Sequence, residues 1–202
     1  MKNCFYGLAV AAICMATAVT AQVSLDELDQ AMEGKEDQQE AIRLRLNDEN
    51  PDRAMAAMQL LIEKGDDRQR KVAISHGLSS TNHDVQLAAV EAIFNSKPIL
   101  VTRWYSEEGA KSGGWRQTAE RLDGAIEIDG TARMPIQISG YSEEKRCWTN
   151  TKTYCVFRIN SGEITFNTHG GWTPLMLDVA GQLVGERFVF NIPTRVVVDL
   201  GA

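Results

Sequence analysis

The sequence predicts an α+β fold in which a short helical module precedes an antiparallel β-sandwich or small barrel. Two observations support this prediction. Residues 24–95 place apolar side chains at helical spacing and contain proline only at Pro51. Residues 125–200 instead hold short apolar runs of alternating pattern, separated by Gly and Asn turn signals about every ten residues. The 202 residues, 44% hydrophobic and 24% charged, suffice for one ordinary domain or two small ones.

Residues 1–21 are expected to form a cleavable signal peptide. Lys2 precedes an uncharged apolar stretch, and Val19 and Ala21 supply small residues at the positions that signal peptidase reads. The stretch is short beside the roughly 20 residues of a membrane span. We therefore expect cleavage after Ala21, a periplasmic or secreted protein, and no stable membrane span afterwards. A retained anchor and lipidation at Cys14 are the alternatives.

Residues 22–97 are predicted to be the helical module. Ser24-Leu25-Asp26-Glu27 matches a capping box, and the helix that it opens is expected to end at Gly34. An internal repeat of about 32 residues follows, in which each unit is a first helix, a polar turn and a second helix. The second helices are expected at 51–63 and 84–94. Asn50 and Pro51 suit the start of the first of these.

The two units share a pattern of leucine, polar turn and paired alanines. It consists of Leu46, Asn50-Pro51-Asp52 and Ala56-Ala57 in the first unit, and Leu78, Asn82-His83-Asp84 and Ala88-Ala89 in the second. This pattern resembles a HEAT-like repeat over roughly residues 36–95. The resemblance implies a short α-solenoid that serves as an interaction scaffold. Because two repeats bury little surface, we expect the second unit to pack on the C-terminal half.

Residues 98–202 are predicted to be an antiparallel β domain. Candidate strands lie at 125–128, 134–141, 147–149, 154–160, 163–168, 175–179, 183–191 and 195–200. Residues 99–105 could add a strand, and residues 107–114 are expected to form a loop. Asn160-Ser161-Gly162 predicts a tight hairpin, since glycine readily takes positive φ.

Cys147 and Cys155 are expected to form a disulfide. They are the cysteines that remain after the signal peptide is removed, and Asn150 to Lys152 suits a turn between them. A hairpin centred there would bring their Cα atoms to about 4.5 Å, within bridging distance. Their spacing is wider than that of redox C-x-x-C pairs, so a structural staple is favoured. No metal site is predicted, because no histidine has ligand spacing to these cysteines.

Charge narrows the range of partners. The formal net charge is −6 and no basic run is present. Nucleic-acid binding requires a basic face, so nucleic acid is not an expected partner. The sequence also implies no cofactor. The leading hypothesis is an exported envelope protein that binds another envelope or secreted protein without catalysis.

Two other functions are carried as alternatives. A glycan-binding module would stack sugars on aromatic side chains of the β half, with Trp115, Trp172 and Tyr141 as candidates, although tryptophans of this kind also pack in cores. A hydrolase would use His169, which lies in Thr168-His169-Gly170-Gly171-Trp172 between two predicted strands. The sequence identifies no catalytic partner for His169, although Asp178 or Glu163 could lie close to it.

Overall fold

The computed structural model describes residues 24–168 and 171–201. The expected signal peptide and His169 therefore lie outside the described residues. The chain divides into two compact units, the first ending at Gln38 and the second beginning at Gln39. The second unit contains every strand that the described residues form.

The described residues form five α-helices. They are α1 (Leu25–Leu46), α2 (Pro51–Lys64), α3 (Asp67–Leu78), α4 (His83–Asn95) and α5 (Gly113–Arg121). The prediction that the first helix ends at Gly34 is wrong, because α1 continues through that residue. One glycine inside an exposed helix costs only about 1 kcal/mol relative to alanine, which is too little to end it.

Side-chain caps set the starts of the helices. The Asn50 carboxamide oxygen accepts hydrogen bonds from the backbone N–H groups of Asp52 and Arg53, and Pro51 occupies the first helical position, as predicted. Asp66 and Gln69 form a reciprocal capping box at the start of α3. These caps satisfy backbone donors that no carbonyl of the helix can reach.

Helices α2, α3 and α4 pack together where small residues allow close approach. A Cβ added at Gly77 of α3 would lie 2.5 Å from the Ala89 Cβ and 2.6 Å from the Met58 sulfur. Ala88 and Ala89 are buried, whereas Ala56 of the first alanine pair is exposed. The two predicted repeats are thus unequal in burial, and the part of the chain from α3 to α4 supplies most of the helical core.

Nine β-strands are present in the described part of the chain. They are β1 (Ile99–Tyr105), β2 (Ala125–Ile126), β3 (Ala132–Ser142), β4 (Cys147–Asn150), β5 (Cys155–Asn160), β6 (Glu163–Thr168), β7 (Gly171–Leu177), β8 (Gln182–Val189) and β9 (Ile192–Asp199).

The strands form a closed antiparallel barrel and not a sandwich. They follow the order β1-β9-β8-β7-β6-β5-β4-β3, and β1 pairs with β3 to close the ring, while β2 extends from β3. Thr102 of β1 lies opposite Met134 of β3 on one side and Val198 of β9 on the other. Because β1 is paired along both edges, the sheet does not split into two layers. The small-barrel alternative is therefore confirmed and the sandwich alternative is wrong.

Helix α5 supplies a large side chain to the barrel interior. Trp115 is fully buried, and its indole N–H donates to the Thr194 hydroxyl at 3.0 Å. Its ring lies edge-on to Trp104, with centroids 6.1 Å apart. The expected loop over residues 107–114 instead contains a short 3-10 turn at Gly109–Lys111 and the start of α5.

Helix α4 packs directly on the barrel. Phe94 stacks on Phe157 with centroids 4.6 Å apart, and Phe157 stacks on Phe166 at 5.0 Å. Phe94 also meets Trp148 edge-on at 5.2 Å. These aromatic contacts confirm the prediction that the second predicted repeat, which ends with α4, packs on the C-terminal half.

Candidate functional site

A groove of about 870 Å³ runs between the first turns of α4 and the strands β6 and β7. We call it the α4–β7 groove. Its apolar lining consists of Leu87, Val90, Ile164, Pro174, Leu175, Met176 and Leu177. A polar rim is formed by His83, Asp84, Gln86, Ser161 and Glu163, with Gly162 between them. Its volume falls in the range of sites that hold ligands or peptide side chains.

The turn between β5 and β6 shapes one end of this groove. Asn160 pairs with Glu163, and Ser161 and Gly162 both take positive φ, at 51° and 83°. This is the predicted tight hairpin, and positive φ at both central residues is the backbone conformation of a type I′ turn. A Cβ at Gly162 would lie 3.6 Å from the His83 Nε2 and 3.8 Å from the Leu87 Cδ1. A larger residue would therefore narrow the groove.

Four consecutive residues of strand β7, Pro174 to Leu177, border the groove. Thr173 and Leu175 point into the barrel and are buried, whereas Pro174 and Met176 point outward. The Met176 side chain is 77% exposed. A methionine is flexible and polarisable, so it can adapt its shape to a partner.

The apolar surface continues from the groove along the outer face of β7 and β8. Trp172 precedes Pro174 and Met176 in the same outward row of β7. Val184 of β8 lies opposite Met176, and Phe188, 68% exposed, points outward from the same strand. The exposed Glu186 lies between Val184 and Phe188 on the outward side of β8, so the apolar row consists of Trp172, Pro174 and Met176 of β7. Exposed apolar side chains grouped in this way are typical of interaction surfaces.

The polar rim is acidic. Asp84 and Glu163 are both exposed and flank the apolar lining. Gln86 is already engaged, since its side-chain amide donates to the Ser80 carbonyl at 2.8 Å. The rim therefore favours a partner that places a basic group beside an apolar one.

Two of the aromatic candidates from the sequence lie away from this groove. Trp115 is buried in the barrel, and a Cβ at Gly109 would come within 2.6 Å of its ring, so the backbone itself covers it. Tyr141 is 44% exposed and leans edge-on against Trp148, with centroids 4.9 Å apart. These residues form no shared aromatic platform with Trp172.

Trp172 belongs to the apolar face and is 36% exposed. The Arg158 guanidinium lies over its ring, with Cζ 4.4 Å from the centroid, which is a cation–π contact. The Arg158 Nε is buried without a hydrogen-bond partner among the described residues. Nearby, Arg187 donates to the Gly171 carbonyl at 3.3 Å, and burial lowers the pKa of Arg187.

The disulfide links the starts of β4 and β5. Cys147 and Cys155 are bonded, with Cα atoms 5.6 Å apart, which confirms the predicted pair. The hairpin register differs from the expected one, because Cys155 pairs with Thr149 across an irregularity in the ladder. Asn150 explains the shift, since its carboxamide oxygen accepts from the backbone N–H of Tyr154 and holds a five-residue turn.

Comparison of the chain with protein-family models, with curated proteins and with solved structures found no match. Over residues 24–168 and 171–201, no three His, Cys, Asp or Glu side chains cluster in a way that could hold a metal ion. In the same part of the chain, none of the helices has the length and apolar character needed to cross a membrane.

Proposed function

We propose that this chain is an exported, non-catalytic binding protein that holds an apolar segment of a protein partner in the α4–β7 groove. The single observation that carries this proposal is the exposed side chain of Met176, which joins the groove to the outward row of Trp172 and Pro174. Covering one such side chain contributes about 1.5–3 kcal/mol to association.

The chemistry of the rim specifies the partner further. Apolar anchors would fill the space between Leu87 and Met176, and a lysine or arginine beside them would approach Asp84 and Glu163. The net charge of −6 favours a basic partner over a longer distance as well. The partner class is therefore a protein segment with alternating apolar and basic residues.

The proposed compartment has its own support. The Cys147–Cys155 disulfide suits an oxidising setting such as the periplasm or the medium. The N-terminal sequence has the charge, apolar stretch and small residues of a signal peptide. The HEAT-like pattern of the helical module agrees with a scaffold that positions α4 over the barrel.

Glycan binding is the second candidate, and the exposure of Trp172 favours it. The Arg158 guanidinium already covers part of the Trp172 ring. A sugar would therefore have to stack on the remaining surface of this one tryptophan. The hydrolase hypothesis stays a prediction, because His169 lies outside the described residues.

Affinity capture with matched variants tests the proposal. Oxidised residues 22–202 are immobilised and challenged with an extract of the source organism's cell envelope, and retained proteins are identified by mass spectrometry. Met176→Glu places a charge in the groove, whereas Ile128→Glu makes the same change at a fully exposed position on the β2–β3 turn. We expect Met176→Glu to lose the retained protein and Ile128→Glu to keep it.

Either of two results would count against the proposal. One is equal retention by both variants, which would place the interface elsewhere. The other is retention of polysaccharide alone in a manner that Trp172→Ala abolishes, which would favour the glycan alternative. Because both charge substitutions fall on exposed side chains, neither is expected to disturb folding.

A further inference from the structure

The barrel wall has an opening along one edge of β3. On one side, β3 pairs with β1 from Ala132 to Gln137. On the other side, β2 reaches only to Arg133 and β4 begins at Ile138. Within the described part of the chain, the edge from Met134 to Gln137 therefore has no strand partner there. Pro135 lies in this stretch, where a residue without an N–H is tolerated.

A cavity of about 360 Å³ lies behind this opening. Its floor is apolar and buried, formed by Met134, Val156 and Phe166, with Ile136 at its side. Thr102 also borders it, but its hydroxyl donates to the Met134 carbonyl at 3.1 Å, so it adds no unpaired polar group. Gln137, Asn150 and Asn167 also border the cavity, and each of their side chains is hydrogen-bonded to the backbone. The volume and the apolar floor therefore suit a small ligand with an apolar chain.

The mouth of this cavity carries charge. Lys152 of the disulfide-tethered turn and Asp123 after α5 form an ion pair at 3.7 Å, and both are well exposed. Arg121 also borders the mouth and is exposed. Two cations thus face one carboxylate at the entrance to an apolar space. Breaking an exposed ion pair of this kind costs little free energy. The carboxylate of Asp123 can therefore give way to an anionic ligand beside Lys152.

We propose that this opening binds a single alkyl chain with an anionic headgroup, of the kind found in a medium-chain free fatty acid. The alkyl chain lies against Met134, Val156 and Phe166, and the carboxylate lies between Arg121 and Lys152. The site is separate from the α4–β7 groove, with which it shares no lining residue. A ligand in this cavity therefore contacts no residue of the groove proposed for the protein partner.

Competition binding on the full oxidised chain tests this site. A dansyl-labelled undecanoic acid reports binding by fluorescence, and laurate and 1-dodecanol serve as competitors of equal chain length. We expect laurate to displace the label competitively from one site per protein chain. Arg121→Glu should weaken laurate about tenfold, the size of one charge-assisted contact, while dodecanol changes little. Arg116→Glu, on the same helix and outside the lining, is the matched control.

A filling variant tests the cavity itself. Ile136→Trp projects an indole into the space from a partly exposed position and should abolish binding of both competitors. Should that variant fail to fold, judged by circular dichroism, Tyr154→Ala at the exposed rim replaces it and should weaken the labelled acid severalfold. Unchanged affinity in the folded variant overturns the proposal.

Three further outcomes test the fatty-acid proposal. Failure of laurate to displace the label overturns the proposal, as does equal loss of affinity in Arg121→Glu and Arg116→Glu. Cosedimentation with phosphatidylglycerol vesicles that requires Arg121, without binding of free laurate, would assign the site to membrane lipid and overturn the free-acid assignment. Met176→Glu should leave laurate binding unchanged, which separates this test from that of the proposed function.

Discussion

The indole N–H of Trp148 donates to the Asn95 carboxamide oxygen at 2.9 Å, which joins strand β4 to the last residue of α4. Together with the stacking of Phe94 on Phe157, this bond fixes how α4 lies over the barrel. The α4–β7 groove exists only because α4 is held there. The stability of this joint and the integrity of the groove are therefore linked.

Replacing Asn95 with alanine should lower the free energy of unfolding by about 0.5–1.5 kcal/mol, the net contribution of a typical hydrogen bond. Trp148 is 3% exposed, but Asn95 lies at the exposed end of α4, so water can partly replace the lost acceptor. Urea unfolding measures the effect. Asn47→Ala removes an exposed amide that donates to a helix carbonyl and should cost less. An equal loss of unfolding free energy in the two variants would show that the Trp148–Asn95 bond stabilises the protein no more than an exposed hydrogen bond does.

Gly77→Ala should destabilise the protein by about 1–3 kcal/mol through overpacking. The added methyl group would lie 2.5 Å from the Ala89 Cβ, so α3 and α4 would have to move apart. Gly34→Ala is the control, because its added Cβ meets nothing within 4 Å and alanine favours the helix. Thermal unfolding of the two variants should shift in opposite directions or only in Gly77→Ala. A neutral Gly77→Ala would contradict the close crossing.

Removing the disulfide should cost about 2–3 kcal/mol, as expected for closing so short a loop. The measurement compares urea unfolding of the wild type with and without reductant, beside a variant in which Cys147 and Cys155 are both serine. The double variant should match the reduced wild type and ignore the reductant. A reductant effect that persists in the double variant would mean that another bond is responsible.

Tryptophan fluorescence should report chiefly one accessible indole. Trp104 and Trp115 are fully buried and Trp148 nearly so, whereas Trp172 is 36% exposed. Trp172→Phe should therefore remove most of the emission that acrylamide quenches. If quenching is unchanged in this variant, Trp172 is not the exposed indole. Protection of the wild type by a sugar, and not by a protein partner, would support glycan binding.

The turn before β3 gives a pH dependence. The backbone N–H and the hydroxyl of Thr131 donate to the Asp129 carboxylate, and these bonds hold the pKa of Asp129 below its ordinary value of 3.8. A lowered folded-state pKa gives stability that is complete above pH 3.8 and is lost as pH falls through the lower folded value. Asp129→Asn should thus be less stable than the wild type at pH 6 and approach it at the most acidic pH. A constant difference between them would contradict this account.

Local signals in the sequence were enough to predict several elements of the fold. Asn50 with Pro51 marked the start of α2, and Asn160-Ser161-Gly162 marked a hairpin, because capping and positive φ depend on a few adjacent residues. Closure of the barrel could not be predicted. It rests on pairing between Thr102 and Met134, which are distant in sequence and carry no mark of their mutual register.

Helix α5 and the α4–β7 groove are harder still to predict from the sequence. The sequence does not predict helix α5, because Gly113 and Gly114 at its start are typical of a loop and burial of Trp115 outweighs their low helix propensity. The run Pro174-Leu175-Met176-Leu177 has the apolar character of a fully buried strand. Only the barrel geometry shows that alternate members of this run point outward. Four consecutive apolar residues on a strand with one exposed face are the one sequence feature that could have indicated an exposed apolar surface.

Site-specific photo-cross-linking tests the central claim most directly. A photoreactive phenylalanine at position 176 lies in the α4–β7 groove, and the same residue at position 128 lies on an exposed turn. In an envelope extract of the source organism, we predict that position 176 cross-links one protein through a segment of alternating apolar and basic residues, and that position 128 does not. Cross-linking of the same protein from both positions, or from position 128 alone, would contradict the account.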